Sequence, residues 1–95
     1  MKEDFSKRLK ELRIENGISQ QAIADKLNIA RISYLHWEQG KTEPSINNIC
    51  LLCKIFNVSA DYLFGLENDD GSRSEASYEF EYDHKNTHLI HKEKK

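Results

Sequence analysis

Two sets of side chains in this 95-residue chain have the types that redox and metal sites use. Cys50 and Cys53 form a Cys-x-x-Cys pair, and His84, His88 and His91 would share one face of a helix. The cysteines fall inside an apolar helical pattern, far from a helix N-terminus that would lower a thiol pKa. No second Cys/His pair stands at zinc-finger spacing, and the histidines adjoin an alternating strand pattern. We therefore predict buried, reduced structural thiols, no metal site and no cofactor.

A third set of side chains is suited to reading the edges of bases. Residues 20–37 contain two short helical patterns that flank Asn28, each with its own apolar stripe. The outer face of the second pattern carries Arg31, Ile32, Leu35 and His36. Two apolar-striped helices joined by a tight turn are the layout of a helix-turn-helix, which presents its second helix to the major groove of DNA.

The surrounding sequence predicts five helices within the first 65 residues. The first is expected over residues 4–16 and the third over residues 30–39. Serines suited to N-capping precede the second, fourth and fifth helices, namely Ser19, Ser45 and Ser59. The residues predicted to end the five helices, which favour a left-handed or turn conformation, are Gly17, Asn28, Gly40, Asn57 and Gly65.

The net charge of −2 is unevenly distributed along the chain. Residues 1–66 hold nine Lys/Arg and eight Asp/Glu, a net of +1, whereas residues 67–95 hold five and eight, a net of −3. The electrostatic part of any DNA affinity must therefore come from local placement of charge. No apolar run reaches membrane-spanning length and the start lacks the apolar core of a signal peptide, so we predict a cytoplasmic protein with no membrane contact.

The C-terminal third differs in composition from the rest. We predict a helical domain over residues 1–66, a flexible linker over 67–77 and a tail over 78–95. Residues 78–83 alternate aromatic and acidic residues, and residues 87–91 are a candidate partner strand, which together predict a β-hairpin. Its aromatic row could join two copies of the chain, bind another protein through residues 78–91, or cover the helical domain. Self-association is favoured, with Cys50 and Leu51 as a second candidate interface.

Motifs extending beyond the central turn identify a resemblance. Gln20-Gln21-x-Ile23-Ala24-x-Lys26-Leu27 is followed by Trp37-Glu38-Gln39-Gly40-Lys41-x-x-Pro44-Ser45 and then by Phe56-Asn57-Val58-Ser59-Ala60-Asp61-Tyr62-Leu63-Phe64-Gly65. This closely resembles the Cro/C1-type (XRE-family) helix-turn-helix domain of phage repressors and bacterial regulators, over about the first two-thirds of the chain. The resemblance implies an all-α, five-helix lambda-repressor-like DNA-binding domain, here with a C-terminal extension predicted to form a strand or hairpin.

The resemblance also implies roles for individual residues. Arg31, Ile32 and His36 match the positions that touch base edges. Arg31 can form two hydrogen bonds to guanine O6 and N7, worth about 1–3 kcal/mol of discrimination. Ile32 suits a thymine methyl group, and His36 can donate or accept a hydrogen bond. Leu35 departs from the family, where this position is often small or polar.

Other matching positions face the phosphate backbone or stabilise the motif. Gln20 would bond a phosphate and brace the recognition helix, and Ser19 offers a hydroxyl beside it. Lys41 and Thr42 match the loop that holds the next phosphates. Arg13 and Glu38 match a partly buried ion pair.

These expectations predict a sequence-specific regulator of transcription that binds double-stranded DNA. We expect a repressor that acts as a homodimer on a palindromic operator. The alternative is an antitoxin-type or adaptor protein whose tail binds a protein partner. An enzyme is not expected, because no nucleophile, base and orienting group can be assembled from these residues.

Overall fold

The computed structural model describes residues 2–73, 78–83 and 88–93, with side chains for residues 4–73. The elements, in chain order, are α1 (Lys2–Glu15), α2 (Gln20–Leu27), α3 (Arg31–Glu38), α4 (Ile46–Phe56), α5 (Ala60–Leu63), β1 (Tyr78–Asp83) and β2 (His88–Glu93). The predicted fold class, five helices with a C-terminal hairpin, is confirmed. Within the described residues, no helix has the length and apolar character needed to cross a membrane.

Local sequence signals fix most of the helix ends. Ser19, Ser45 and Ser59 precede α2, α4 and α5, and each hydroxyl oxygen accepts a hydrogen bond from the backbone N–H three residues later. Asn28 and Asn57 end α2 and α4 with φ angles of 57° and 54°. Asparagine tolerates this left-handed conformation better than most residues. The predicted caps and left-handed ends are therefore confirmed.

The first and third helices differ from the predicted ranges by a few residues. The first helix begins at Lys2, two residues before the predicted start at Asp4. The third is two residues shorter than predicted, because Ala30 and Gln39 are its caps. Ala30 has an extended backbone, φ −69° and ψ 145°, and its side chain makes no capping bond. Such end residues lack half of their helical hydrogen bonds.

One core joins all five helices. The largest fully buried side chains are Leu9, Ile23, Tyr34, Leu52 and Leu63, one from each helix. Tyr34 and Trp37 pack edge to face, with ring centroids 5.8 Å apart. Both aromatic residues of α3 are therefore core residues, and the rest of that helix remains for another role.

The prediction that both cysteines are buried was wrong for Cys50. Cys53 is half-buried, whereas Cys50 is exposed, and both are free thiols. Residues 46, 50 and 54 lie four apart on the outer face of α4, opposite the buried Leu52 and Phe56. Burial raises the pKa of the Cys53 thiol. The helical period therefore separates the two thiols by environment.

The C-terminal strands form an antiparallel two-stranded sheet. Tyr78 pairs with Glu93 and Asp83 with His88, so the second strand covers residues 88–93 where residues 87–91 were predicted. The predicted turn at His84-Lys85-Asn86 and the start at Thr87 lie outside the described residues. Within the predicted linker, residues 67–73 form a hydrogen-bonded loop beside α5. The three segment boundaries stay predictions.

Candidate nucleic-acid interface

The first turn of α3 presents two of the predicted base-reading side chains to solvent. Arg31 is exposed, and Ile32, with 55% of its surface accessible, is among the most exposed large apolar residues. His36, one turn later, is half-buried, as is Leu35. The buried Tyr34 and Trp37 fix the opposite side of the helix in the core. This packing leaves the face of α3 that carries the polar Arg31 and the apolar Ile32 exposed to solvent.

A chain of hydrogen bonds connects the exposed end of α3 with the interior. Nη2 of Arg31 donates to Oε1 of Gln20 at 3.1 Å. The same Gln20 side chain donates through Nε2 to Oε1 of Glu38 at 3.2 Å. Gln20 is the first residue of α2, so its amide holds the first residue of α3 and the last residue of α3 at once. The resemblance implied that Gln20 braces this helix, but it did not identify Arg31 and Glu38 as the residues that Gln20 contacts.

Glu38 is anchored in turn by Arg13 of α1. Nε of Arg13 donates to Oε2 of Glu38 at 2.6 Å, and Nη2 donates to Oε1 at 3.1 Å. The exposed fractions of the two side chains are 13% and 3%. The structure thus brings the predicted ion pair together in bidentate geometry, the strong arrangement for a guanidinium and a carboxylate. Nη1 of Arg13 also donates to the carbonyl oxygen of Ile18 at 3.0 Å, which ties the pair to the turn before α2.

The protonation of Glu38 follows from this environment. Burial alone would raise the pKa of its carboxyl group. Hydrogen bonds from neighbouring donors, Arg13 first among them, lower it by more, so the pKa lies below its ordinary value. Glu38 is therefore a carboxylate at neutral pH, and the pKa of Arg13 is raised by its hydrogen bond to Glu38.

The N-terminus of α2 presents polar groups next to Gln20. Ser19 is exposed and its Oγ accepts a hydrogen bond from the N–H of Ala22 at 3.0 Å. The hydroxyl hydrogen of Ser19 is not needed for that bond and can be donated to a ligand. A helix N-terminus with free donors favours anions, phosphate groups among them.

Lys41 and Thr42 lie in the turn that follows α3, and both are exposed. Their backbone N–H groups donate to the carbonyl oxygen of His36, at 2.9 Å and 3.5 Å. Gly40, with φ +72°, permits this reversal of the chain. The turn therefore holds these two side chains at the C-terminal end of α3, whereas Arg31 lies at its N-terminal end.

Within residues 4–73, no three His, Cys, Asp or Glu side chains cluster in a way that could hold a metal ion. Of the tail histidines, His88 and His91 fall in β2, and His84 lies outside the described residues.

Comparison with known proteins identifies this arrangement. A family model described as helix-turn-helix matches residues 9–63. The SPbeta prophage-derived uncharacterized HTH-type transcriptional regulator YonR of Bacillus subtilis is 44% identical over 59 residues, covering 62% of this chain and 55% of that protein. The uncharacterized HTH-type transcriptional regulator YobD of the same organism is 30% identical over 71 residues, covering 75% and 63%.

A solved structure agrees with these sequence matches. The restriction-modification controller protein C.AhdI from Aeromonas hydrophila is 31% identical, with a TM-score of 0.59, and the match covers 65% of this chain and 94% of that one. The chain spans 55% to 63% of the length of the two regulators above. On the match over residues 9–63, the chain belongs to the Cro/C1-type (XRE) helix-turn-helix family of DNA-binding transcription regulators.

Proposed function

We propose that this chain is a sequence-specific transcriptional repressor that binds double-stranded DNA as a homodimer on a two-fold related operator. The observation that carries the proposal is the hydrogen bond from Arg31 to Gln20, backed by Glu38 and Arg13. It holds a base-reading side chain in place at the exposed start of α3.

Preorganisation of the Arg31 side chain makes the free energy of DNA binding more favourable. Immobilising a free arginine side chain costs up to about 2 kcal/mol of rotamer entropy. The bond to Gln20 restricts that freedom before DNA arrives and uses one of the five guanidinium N–H donors. The remaining donors suffice for the two-bond contact with guanine. Ile32 beside it would contact a thymine methyl group, and His36 would donate to or accept from a third base.

Phosphate contacts would come from both ends of the motif. We assign them to the helix N-terminus at Ser19 and Gln20, and to the turn at Lys41 and Thr42. Each phosphate contact that is lost reduces the magnitude of the slope of log affinity against log salt by about 0.9. A Lys41→Ala chain should therefore bind all sequences more weakly and show a salt slope reduced by about one.

The hairpin supports the homodimer. Its register pairs positions 78, 80 and 82 with 93, 91 and 89, so these six positions lie on one face of the sheet. The aromatic residues of β1 all occupy that face, and its acidic residues occupy the other. A lone two-stranded hairpin is marginal in water, and an aromatic face is stabilised by a second layer. A second copy of the hairpin supplies a matching layer, and closed two-fold dimers are the commonest oligomers.

The DNA-binding part of the proposal is tested by selection and footprinting. Genomic fragments are selected on the full chain and the bound sites are footprinted with wild type, Arg31→Ala and a control, Lys54→Ala. Lys54 is exposed in the last turn of α4 and is not one of the residues proposed to contact DNA. We expect a shared site with two-fold symmetry, lost with Arg31→Ala and kept with Lys54→Ala. Binding without sequence preference in all three chains would reject the proposal.

The dimer is tested separately by sedimentation of the full chain. Phe80→Asp places a charge on the aromatic face, whereas Glu81→Asn changes the opposite face at the neighbouring position. We expect a dimer for wild type and Glu81→Asn and a monomer for Phe80→Asp. A monomeric wild type that co-purifies from native cells with a stoichiometric second protein would instead favour the adaptor or antitoxin-type role.

A further inference from the structure

The chain that leads from the helical domain to the hairpin is closed on itself. We call residues 67–73 the exit loop. Glu67 and Arg73 form an isolated antiparallel bridge, and the N–H of Asn68 donates to the carbonyl oxygen of Ser72 at 2.7 Å. The carboxylate of Asp70 accepts hydrogen bonds from the N–H and the hydroxyl of Ser72, at 2.9 Å and 2.7 Å. The exit loop therefore has a defined shape despite its linker-like composition.

Three side-chain bonds fasten the exit loop to α5. Each joins one residue of the loop to one residue in or next to the helix. The pairs are Ser59 Oγ to Glu67 Oε2 at 3.2 Å, Tyr62 Oη to Asp69 Oδ1 at 2.9 Å, and Arg73 Nη1 to Asp61 Oδ2 at 2.5 Å. These pairs lie at both ends and in the middle of the loop, so the whole loop is held against α5.

Arg8 connects this assembly to α1. Its Nη1 donates to the carbonyl oxygens of Tyr62, at 2.7 Å, and Glu67, and its guanidinium lies 4.3 Å from the centre of the Tyr62 ring. The chain between these carbonyls passes tightly along α1, because a Cβ on Gly65 would come within 2.7 Å of the Cβ of Asp4. A single arginine thus joins α1, α5 and the first residue of the exit loop.

The fixed exit loop shortens the tether between helical domain and hairpin. Whatever conformation residues 74–77 take, the five residue steps from Arg73 to Tyr78 span at most about 17 Å. If the loop were released, the twelve steps from Leu66 to Tyr78 would span up to about 41 Å. The contacts of Arg8 at the start of the exit loop and of Asp69 and Arg73 further along it therefore together remove more than half of the reach available to two helical domains joined through their hairpins.

We propose that the exit loop, which Arg8 anchors at Glu67 and whose Asp69 and Arg73 anchor it to α5, sets the distance between two DNA half-sites, with Arg8 as one of its positioning residues. The inference rests on the proposed function, in which two copies joined through the hairpin bind two half-sites. The partner is a second copy of this chain, and the restricted quantity is operator spacing. Arg8 itself touches no DNA in this mechanism.

The expected change in affinity for paired half-sites follows from the two tether lengths. The effective concentration of a second, linked site falls roughly as the −3/2 power of tether length, so release of the exit loop lowers binding to paired half-sites about fourfold. Tolerance of other spacings rises at the same time. A change that merely damages the DNA-binding surface would weaken all spacings, and single half-sites, equally.

The experiment uses the full chain and the operator recovered by selection. Affinity is measured for the natural spacing, for a spacer lengthened by five base pairs, which is about half a turn, and for a single half-site. Arg8→Gln removes the anchor, and Lys10→Gln removes a charge from the exposed surface of the same helix. The double variant Asp69→Ala, Arg73→Ala releases the loop while Arg8 and the core stay intact. This covers the case in which Arg8→Gln fails to fold.

We expect wild type and Lys10→Gln to bind the lengthened operator no better than a single half-site. The double variant should bind the natural spacing about fourfold more weakly and approach equal affinity for both spacings. Arg8→Gln leaves the bonds of Asp69 and Arg73 in place and should lose a smaller part of the spacing preference. Wild-type spacing preference in the double variant, with single-site affinity intact, would overturn the inference alone. If wild type bound paired half-sites no better than a single one, the proposed dimer itself would fall, and the inference with it.

A second readout tests the anchor without DNA. Backbone amide order parameters of residues 67–73 should be near those of the helices, about 0.85, in the wild-type chain and should fall towards about 0.6 in the double variant. Low values in the wild-type chain would overturn the inference whatever the DNA measurements show.

Discussion

Two arginines five residues apart on α1 each tie that helix to a different region of the molecule. Arg13 holds the carboxylate of Glu38 at the end of α3, and both side chains are nearly inaccessible, at 13% and 3%. Arg8 holds backbone carbonyl oxygens at α5 and the exit loop, at the rim of the domain. The same functional group therefore binds a buried carboxylate in one region and two partly buried backbone carbonyl groups in the other.

The charge of the partner together with its burial, more than the number of bonds, sets the free-energy cost of losing a guanidinium. Without Arg13, the charge of Glu38 has neither water nor a cation to stabilise it. Without Arg8, two partly buried carbonyl oxygens lose a donor, but they carry no full charge, so this loss costs less than the loss of a donor to a carboxylate. Losing the arginine contact in the helix-turn-helix region should therefore lower the free energy of unfolding more than losing the one at the exit loop.

The largest expected effect is that of Arg13→Met. This change removes both hydrogen bonds to Glu38 and leaves its charge buried, so we expect a loss of about 3–5 kcal/mol in the free energy of unfolding. Urea unfolding followed by circular dichroism measures the loss. Arg13→Lys keeps the charge but not the planar fork and should lie between wild type and Arg13→Met. A loss below about 1 kcal/mol in Arg13→Met would contradict the large contribution of the Arg13–Glu38 pair to the free energy of unfolding.

Acid should act on the same pair from the carboxylate side. Because the folded-state pKa of Glu38 lies below its ordinary value of 4.5, the unfolded chain binds this proton more tightly than the folded chain. The stabilisation is therefore complete above that ordinary value and is lost as the pH falls through the folded-state pKa. The urea midpoint measured at decreasing pH should report this loss.

The Arg13→Met chain provides the matched control for acid. Burial without a cation raises the pKa of a carboxyl group, so protonation of Glu38 should then stabilise the fold. We expect the contribution of Glu38 to the acid dependence to reverse in sign. The same acid dependence in both chains would show that other carboxyl groups dominate it.

A smaller effect is expected for Arg8→Gln. Loss of two charge-assisted bonds and of the contact with the Tyr62 ring should cost about 1–3 kcal/mol, less than Arg13→Met, because the carbonyl groups left without a donor are uncharged. Urea unfolding beside Lys10→Gln, which should change little, provides the comparison. A loss equal to that of Arg13→Met would remove the distinction between the two regions.

The smallest effect is expected for Arg73→Ala. The ion pair of Arg73 with Asp61 joins side chains that are 68% and 50% exposed, so solvent screens it and its loss should cost between 0 and about 1 kcal/mol. Its effect should appear in the mobility of the exit loop while the unfolding midpoint stays nearly unchanged. A loss of several kcal/mol would mean that the exit loop is part of the cooperative core.

Much of the fold could be predicted from sequence because its signals are local. The serine caps and the left-handed Asn28 and Asn57 depend on residues within one helical turn, and all were predicted. The alternation in residues 78–83 predicted a strand for the same reason. The assignments of Arg31 and Lys41 to DNA came from matching a family pattern and stay predictions.

The remaining features depend on distant parts of the chain. Sequence alone determined where the helices begin and end, which faces are apolar, and that a helix-turn-helix is present. The link from Arg31 through Gln20 to Glu38 depends on the packing of α2 against α3, which brings these three side chains together. The tertiary structure also decided that Arg8 closes on a loop with linker composition. Composition describes a segment in isolation, whereas its order also depends on partners in α5 and on a guanidinium from α1, more than fifty residues away.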